Sequence, residues 1–282
     1  SCKTGKNLLG KWTELCHSII TNTMKKLASI AILVVVSFAA PAQTIDSTQT
    51  PRFFRGQITA TNNGVSLIPS FSLGRPAVLF DLNVGKGRLS FDPMLRFGMD
   101  GKPWTFVFWW RYKLIQQKKF TLALGAHPSV VFRDVSVLNN GIQKEYLTAQ
   151  RYFAWEVSPT YVVNKTVNFS LYYLGSRGLT KDIVQNTTFF AVRSGITLPL
   201  SSKFTLGLIP QAYYLKMDSR DGTYINATVN LFKNRFPISF NTVVSKALQT
   251  EIAGKNFLWS VGLVYNINKT YLNIKKLSYQ AN

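Results

Sequence analysis

The sequence predicts an all-β fold, a transmembrane antiparallel up-and-down β-barrel of about twelve strands. Three observations predict it. Apolar and polar residues alternate with period two through most of residues 65–267, the pattern of strands whose successive side chains point to opposite faces. Short connections alternate with longer ones, as at the two rims of a membrane barrel. An export signal precedes the alternating region.

The signal is "MKKLASIAILVVVSFAAPAQ", beginning at Met24. Lys25 and Lys26 supply its charged start, and Leu27 to Phe38 an apolar run too short to span a bilayer comfortably. Ala40-Pro41-Ala42 fits the small-x-small cleavage pattern, so residues 24–42 are expected to be removed and the mature chain to begin at Gln43. Residues 1–23 lie upstream of Met24 and read as a non-native or mis-started segment. Both cysteines, Cys2 and Cys16, fall there. The mature chain is therefore expected to hold no disulfide and no thiolate site. Residues 43–64 are expected to form an N-terminal periplasmic segment, 65–267 the barrel and 268–282 a C-terminal tail.

Twelve segments carry the strand pattern: 65–74, 76–84, 87–98, 104–113, 119–132, 150–162, 166–175, 187–198, 203–217, 222–232, 235–245 and 256–267. In "FLWSVGLVYNI", Phe257 to Ile267, the odd positions are Phe, Trp, Val, Leu, Tyr and Ile. Phe120 to Phe132 does the same on its even positions. No helical period of 3.6 is evident after residue 50. "VGKGR", "IQQKK", "VNKT", "PLSSK" and "KNR" make the short rim, and longer stretches such as "SRGLTKDIVQ" make the other. The turn at Gly74-Arg75-Pro76 is the exception, a tight connection on the long-loop side. Exposed loops there, chiefly 134–150, are the natural surface for an envelope protein partner.

Charge narrows the classes of function. The formal net charge is +21. Nucleic-acid binders gather such charge on one patch or helix. Here Lys and Arg are spread over short turns, which argues against nucleic acid. No cofactor or metal site is expected: "GKGR" sits in a tight turn without a following helix, and His127 is the single histidine after Met24.

The Met24–Ala42 signal and the twelve alternating segments carry a resemblance. The chain resembles the small outer-membrane β-barrel proteins of Gram-negative bacteria of the Bacteroidetes type. That likeness implies the outer membrane, contact with its lipid, and no particular activity. Such barrels often finish on an aromatic residue. Here "NKTYLNIKKLSYQAN" follows the last strand, which moves that feature to Tyr265-Asn266-Ile267.

If the aromatic-rich parity faces lipid, the other parity lines the lumen. The expected lining residues are Asp81, Asp92, Arg96, Arg111, His127, Ser129, Arg133, Glu156, Tyr172, Arg193 and Gln211, with Asn83, Trp109, Asn168, Asn226, Asn230 and Asn241 beside them. Nearly every in-strand charge falls on this parity. A lysine or arginine facing mid-membrane lipid costs about 2–4 kcal/mol. Pro69, Pro93, Pro128, Pro159 and Pro210 fall on the opposite parity. Proline lacks the ladder donor, so bulges or ladder breaks are expected at several of them.

Three functions follow as expectations. Mixed lumen charges with several arginines suit a passive pore for small, anionic solutes. The same charges, paired across the lumen, suit a non-conducting structural or interaction barrel. The third is a lipid-acting hydrolase, because His127-Pro128-Ser129 is similar to the His-x-Ser-Asn run of outer-membrane phospholipases and lipid A deacylases. Val130 stands where that run has Asn, and parity puts the pair in the lumen. A polar lining pair is the favoured reading, and no enzyme activity is expected.

Overall fold

The structure, a computed structural model, describes residues 52–139 and 142–271. The strands are β1 (Arg52–Thr61), β2 (Ala77–Lys86), β3 (Leu89–Gly98), β4 (Pro103–Gln116), β5 (Phe120–Asn139) and β6 (Ile142–Val162). They continue with β7 (Val167–Gly178), β8 (Asn186–Pro199), β9 (Phe204–Met217), β10 (Arg220–Lys233), β11 (Ile238–Thr250) and β12 (Phe257–Tyr271). Each pairs antiparallel with its neighbour in sequence, and β1 pairs with β12, so the sheet closes as a twelve-stranded barrel. The fold class is the one the alternation predicts.

One strand is not where the sequence placed it. β1 lies in the segment expected to precede the barrel, and the closing register runs from Arg52↔Tyr271 to Thr61↔Gly262. Its inward side chains are Phe53, Arg55, Gln57, Thr59 and Thr61; its outward ones are Arg52, Phe54, Gly56, Ile58 and Ala60. The outward set is small and interrupted by glycine, so the apolar signal is weak. The barrel thus spans 52–271 rather than 65–267. The expected periplasmic segment is shortened by a strand, and β12 takes up the first residues of the expected tail. Residues 1–51 and 272–282, with the expected signal and cleavage site, lie outside the described residues.

The expected first strand, 65–74, is instead part of a long connection between β1 and β2. Pro69–Phe71 form a single 3-10 turn with proline at its start, where a missing N–H is tolerated. The connection is no tight turn. It leaves and returns through a narrow neck, in which Gly64 N donates to Arg75 O at 2.9 Å and Leu73 N to Gly64 O at 2.8 Å. Similarly, 134–150 is no free loop. β5 and β6 run on as a continuous ladder to Asn139↔Ile142, a two-stranded hairpin longer than any other in the barrel.

The outward face is apolar round the whole circumference. Val84, Leu89, Trp110, Leu124, Trp155, Phe169, Phe190, Phe204, Ile225, Phe240 and Trp259, drawn from eleven strands, are each exposed by more than a third. Only a lipid surround makes such a surface stable on a monomeric chain. The closed ladder meets the matching demand that backbone groups in lipid be paired internally. A concavity of about 600 Å³ lies on this outer wall between Phe169 and Phe257 where Pro210, Ala212 and Ala227 are small; it faces lipid.

Four prolines break the ladder without bulging it. Pairing skips two residues opposite Pro93 on β2, Pro128 on β4, Pro159 on β7 and Pro210 on β8, and resumes in the same register each time. On its other side each proline strand is paired through. The cause is the absent N–H, which leaves the carbonyls opposite (Leu82, Phe108, Leu171 and Ser194) without their ladder donor. All four breaks lie in the seams β2–β3, β4–β5, β6–β7 and β8–β9, the hairpins closed by short turns. Pro69 is not among them, since it sits in the β1–β2 connection.

Candidate functional site in the barrel lumen

The inward parity of β2 to β8 brings polar side chains from six strands, four of them charged, into one network. Arg111 on β4 is its hub. Its Nη1 donates to Asp92 Oδ2 at 2.6 Å, and its Nε and Nη2 donate to the two Glu156 oxygens at 2.5 and 3.3 Å. Asn83 donates to the other Asp92 oxygen. Tyr172 OH donates to Glu156 Oε2 at 2.6 Å, and the Arg193 guanidinium lies 5.0 Å over the Tyr172 ring. Glu156, 3% exposed, thus accepts from a bidentate arginine and a phenol, which is what a buried carboxylate requires.

Glu156 is on β6 and Arg111 on β4, with β5 between them. The contact forms because Gly125 of β5 stands opposite both. A Cβ there would lie 2.8 Å from Glu156 Oε1 and 2.9 Å from its Cγ. The glutamate crosses the space a side chain would fill. Sequence reasoning missed Gly125; an isolated glycine inside a strand was the available sign of a close approach.

The other expected lining residues stand as follows. Asp81 pairs with Arg96 at 3.7 Å, and Arg96 also lies 5.7 Å over the Trp104 ring. Asp81 and Asp92 do not meet: Asp81 stands opposite Met94. His127 is buried edge-on against Trp109, ring centroids 4.0 Å apart, and Arg111 covers that indole from 4.4 Å. His127 Nδ1 has no hydrogen-bond partner. Ser129 is buried between Val107 and Tyr152. Arg133 lies apart from the network: it donates to Ser70 O and covers the Phe71 ring at 5.4 Å. Gln211 lies between Arg193 and Asn226 on the neighbouring strands.

Towards the long-loop rim the lumen changes character. Phe189, Tyr213 and Tyr224 stack in series, with centroids 4.9 and 4.8 Å apart, on an apolar bed with Leu215, Met217 and Ile252. The β1–β2 connection sits on this bed, with Ile68 and Phe71 packed against it. Three polar contacts fix its backbone: Tyr213 OH to Leu67 O at 2.9 Å, Trp104 Nε1 to Phe71 O at 2.8 Å, and Arg133 to Ser70 O. The alternation of "VSLIPSFSL" that suggested a strand is therefore the packing pattern of a segment folded into the barrel mouth. Towards the short-turn rim, a cavity of about 520 Å³ opens between Arg55, Gln57, Asp81, Asn83, Arg111 and Asn266.

These features define a membrane-spanning β-barrel with a polar lumen, capped on one side by its first connection. No protein-family model matches the chain, and no curated protein does. Solved structures of similar fold include the NanC porin, at 11% identity over 77% of this chain and 100% of that one, with a TM-score of 0.45. An outer-membrane channel from Pseudomonas putida F1 matches at 8% over 82% and 99%, TM-score 0.44. OmpT, an outer membrane protein of Vibrio cholerae, matches at 8% over 80% and 100%, TM-score 0.39. Identities this low concern the fold and nothing finer.

Proposed function

We propose that the chain works in the outer membrane as a narrow channel for small solutes, with a preference for anions, and without catalysis. The observation that supports it best is the charge balance of the lumen. Its three acids, Asp81, Asp92 and Glu156, are each paired with an arginine. Arg55, Arg133 and Arg193 also face inward and form no ion pair among the described residues. An unpaired positive excess on a low-dielectric wall attracts anions and repels cations.

The test is planar-bilayer recording of refolded barrel under a salt gradient. Steady current with a reversal potential on the anion side is the expected outcome, reduced towards zero by Arg193→Ala. A folded barrel that passes no current overturns the reading. It would favour the second one, a closed scaffold whose long β5–β6 hairpin holds an envelope protein. That second reading draws on one observation, the connection folded into the mouth.

A further inference from the structure

We propose that the lumen wall of β8 to β10 carries a binding site for one small oxyanion, a carboxylate or phosphate, formed by Arg193, Gln211 and Asn226. The proposal rests on the reading that solutes reach the lumen, and names the solute class. The register places Ser170, Arg193, Gln211, Asn226 and Ser245 directly opposite one another on five successive strands, all facing inward. Adjacent strands lie about 4.8 Å apart, so the central three side chains span about 10 Å of wall.

The row is rich in donors. Arg193 offers guanidinium N–H groups, Gln211 and Asn226 offer amide N–H groups, and no carboxylate stands in the row. Glu156, the acid nearest in the network, is already held by Arg111 and Tyr172. Arg193 itself reaches only the hydroxyl of Ser158, at 3.4 Å, and the face of Tyr172. Asn226 is 7% exposed, and its Nδ2 is without a partner, as is the buried Nε2 of Gln211. Two buried amide donors lacking acceptors, beside a guanidinium lacking an anion, make an arrangement that an oxyanion completes. The contrast with the other side of the lumen is informative, since Arg111 there is bonded to both Asp92 and Glu156, and Arg96 lies 3.7 Å from Asp81.

The test is isothermal titration calorimetry on the folded, detergent-solubilised protein at low ionic strength. Inorganic phosphate and acetate are titrated separately, and folding is checked by heat-shifted gel mobility. Saturable binding of at least one probe is expected. Phosphate alone assigns the phosphate class, acetate alone the carboxylate class, and both the shared oxyanion chemistry. Gln211→Glu changes little in size but supplies Arg193 with an internal carboxylate; it is expected to weaken binding at least about tenfold. Arg193→Gln serves the same purpose should Gln211→Glu fail to fold.

Wild-type barrel that binds neither probe overturns the site, as does binding unchanged in a folded variant. The two proposals fail separately. An anion-preferring channel that binds neither probe keeps the function and loses the site. A silent barrel that binds phosphate through Arg193 keeps the site and loses the channel.

Discussion

At the scale of single residues, the lumen network depends on a position with no side chain. Gly125 allows Glu156 to cross β5 to Arg111. Valine there is expected to push the carboxylate off the guanidinium, leaving buried Glu156 with the Tyr172 hydroxyl alone while Arg111 keeps Asp92. Breaking such a pair costs about 3–5 kcal/mol, so Gly125→Val barrel should unfold at a distinctly lower temperature in a heat-shift gel. A variant with wild-type mobility would show that the glutamate has another path. The sequence revealed that Arg111 and Glu156 share a face, because parity follows from strand alternation alone. Which arginine takes which acid was not legible, because that depends on barrel curvature and on the gap at Gly125.

At the scale of elements, alternation was a good guide to strands and a poor guide to what the strands bury. β2 to β12 were readable since their outward residues are large, as in "FLWSVGLVYNI". β1 escaped because Gly56 and Ala60 blunt its outward face, although Arg55, Gln57, Thr59 and Thr61 mark its inward one. The segment 65–74 misled for the opposite reason: its apolar residues pack inside the mouth. The proline breaks were anticipated; their restriction to short-turn hairpins emerges only from the register. Each break leaves one ladder donor missing, and an ordinary hydrogen bond is worth about 1 kcal/mol. Pro210→Val supplies the N–H facing Ser194, and is expected to raise the unfolding temperature modestly. A fall would mean that the ring packs in a way valine cannot copy.

At the scale of the whole molecule, passage depends on the connection seated in the mouth. Its neck brings Gly64 and Gly74 together, with Gly74 N donating to Gly64 O at 3.3 Å. Deleting residues 65–73 therefore rejoins two positions that are already adjacent. The shortened barrel is expected to fold, keep its heat-shifted mobility and conduct several times better than wild type in the same bilayer. Equal conductance would show that the connection does not set the width of the path. The deletion also removes the partners of Tyr213, Arg133 and the Trp104 indole N–H, so some loss of thermal stability should accompany the gain in current.

The seam between β1 and β12 has a consequence for the order of events in time. Arg52 and Tyr271, the first and last residues of the barrel, are opposite one another in the sheet. Contacts of such separation form late and slowly. Until the last strand arrives, the sheet is an open ribbon with a bare edge on β1 and another on whichever strand came last, and bare edges recruit foreign strands. A chain interrupted before Phe257 keeps both edges for good. The first ten residues of the barrel thus wait, unpaired on one side, for the last fifteen, and the lipid-ready surface between them is complete only when the ring is.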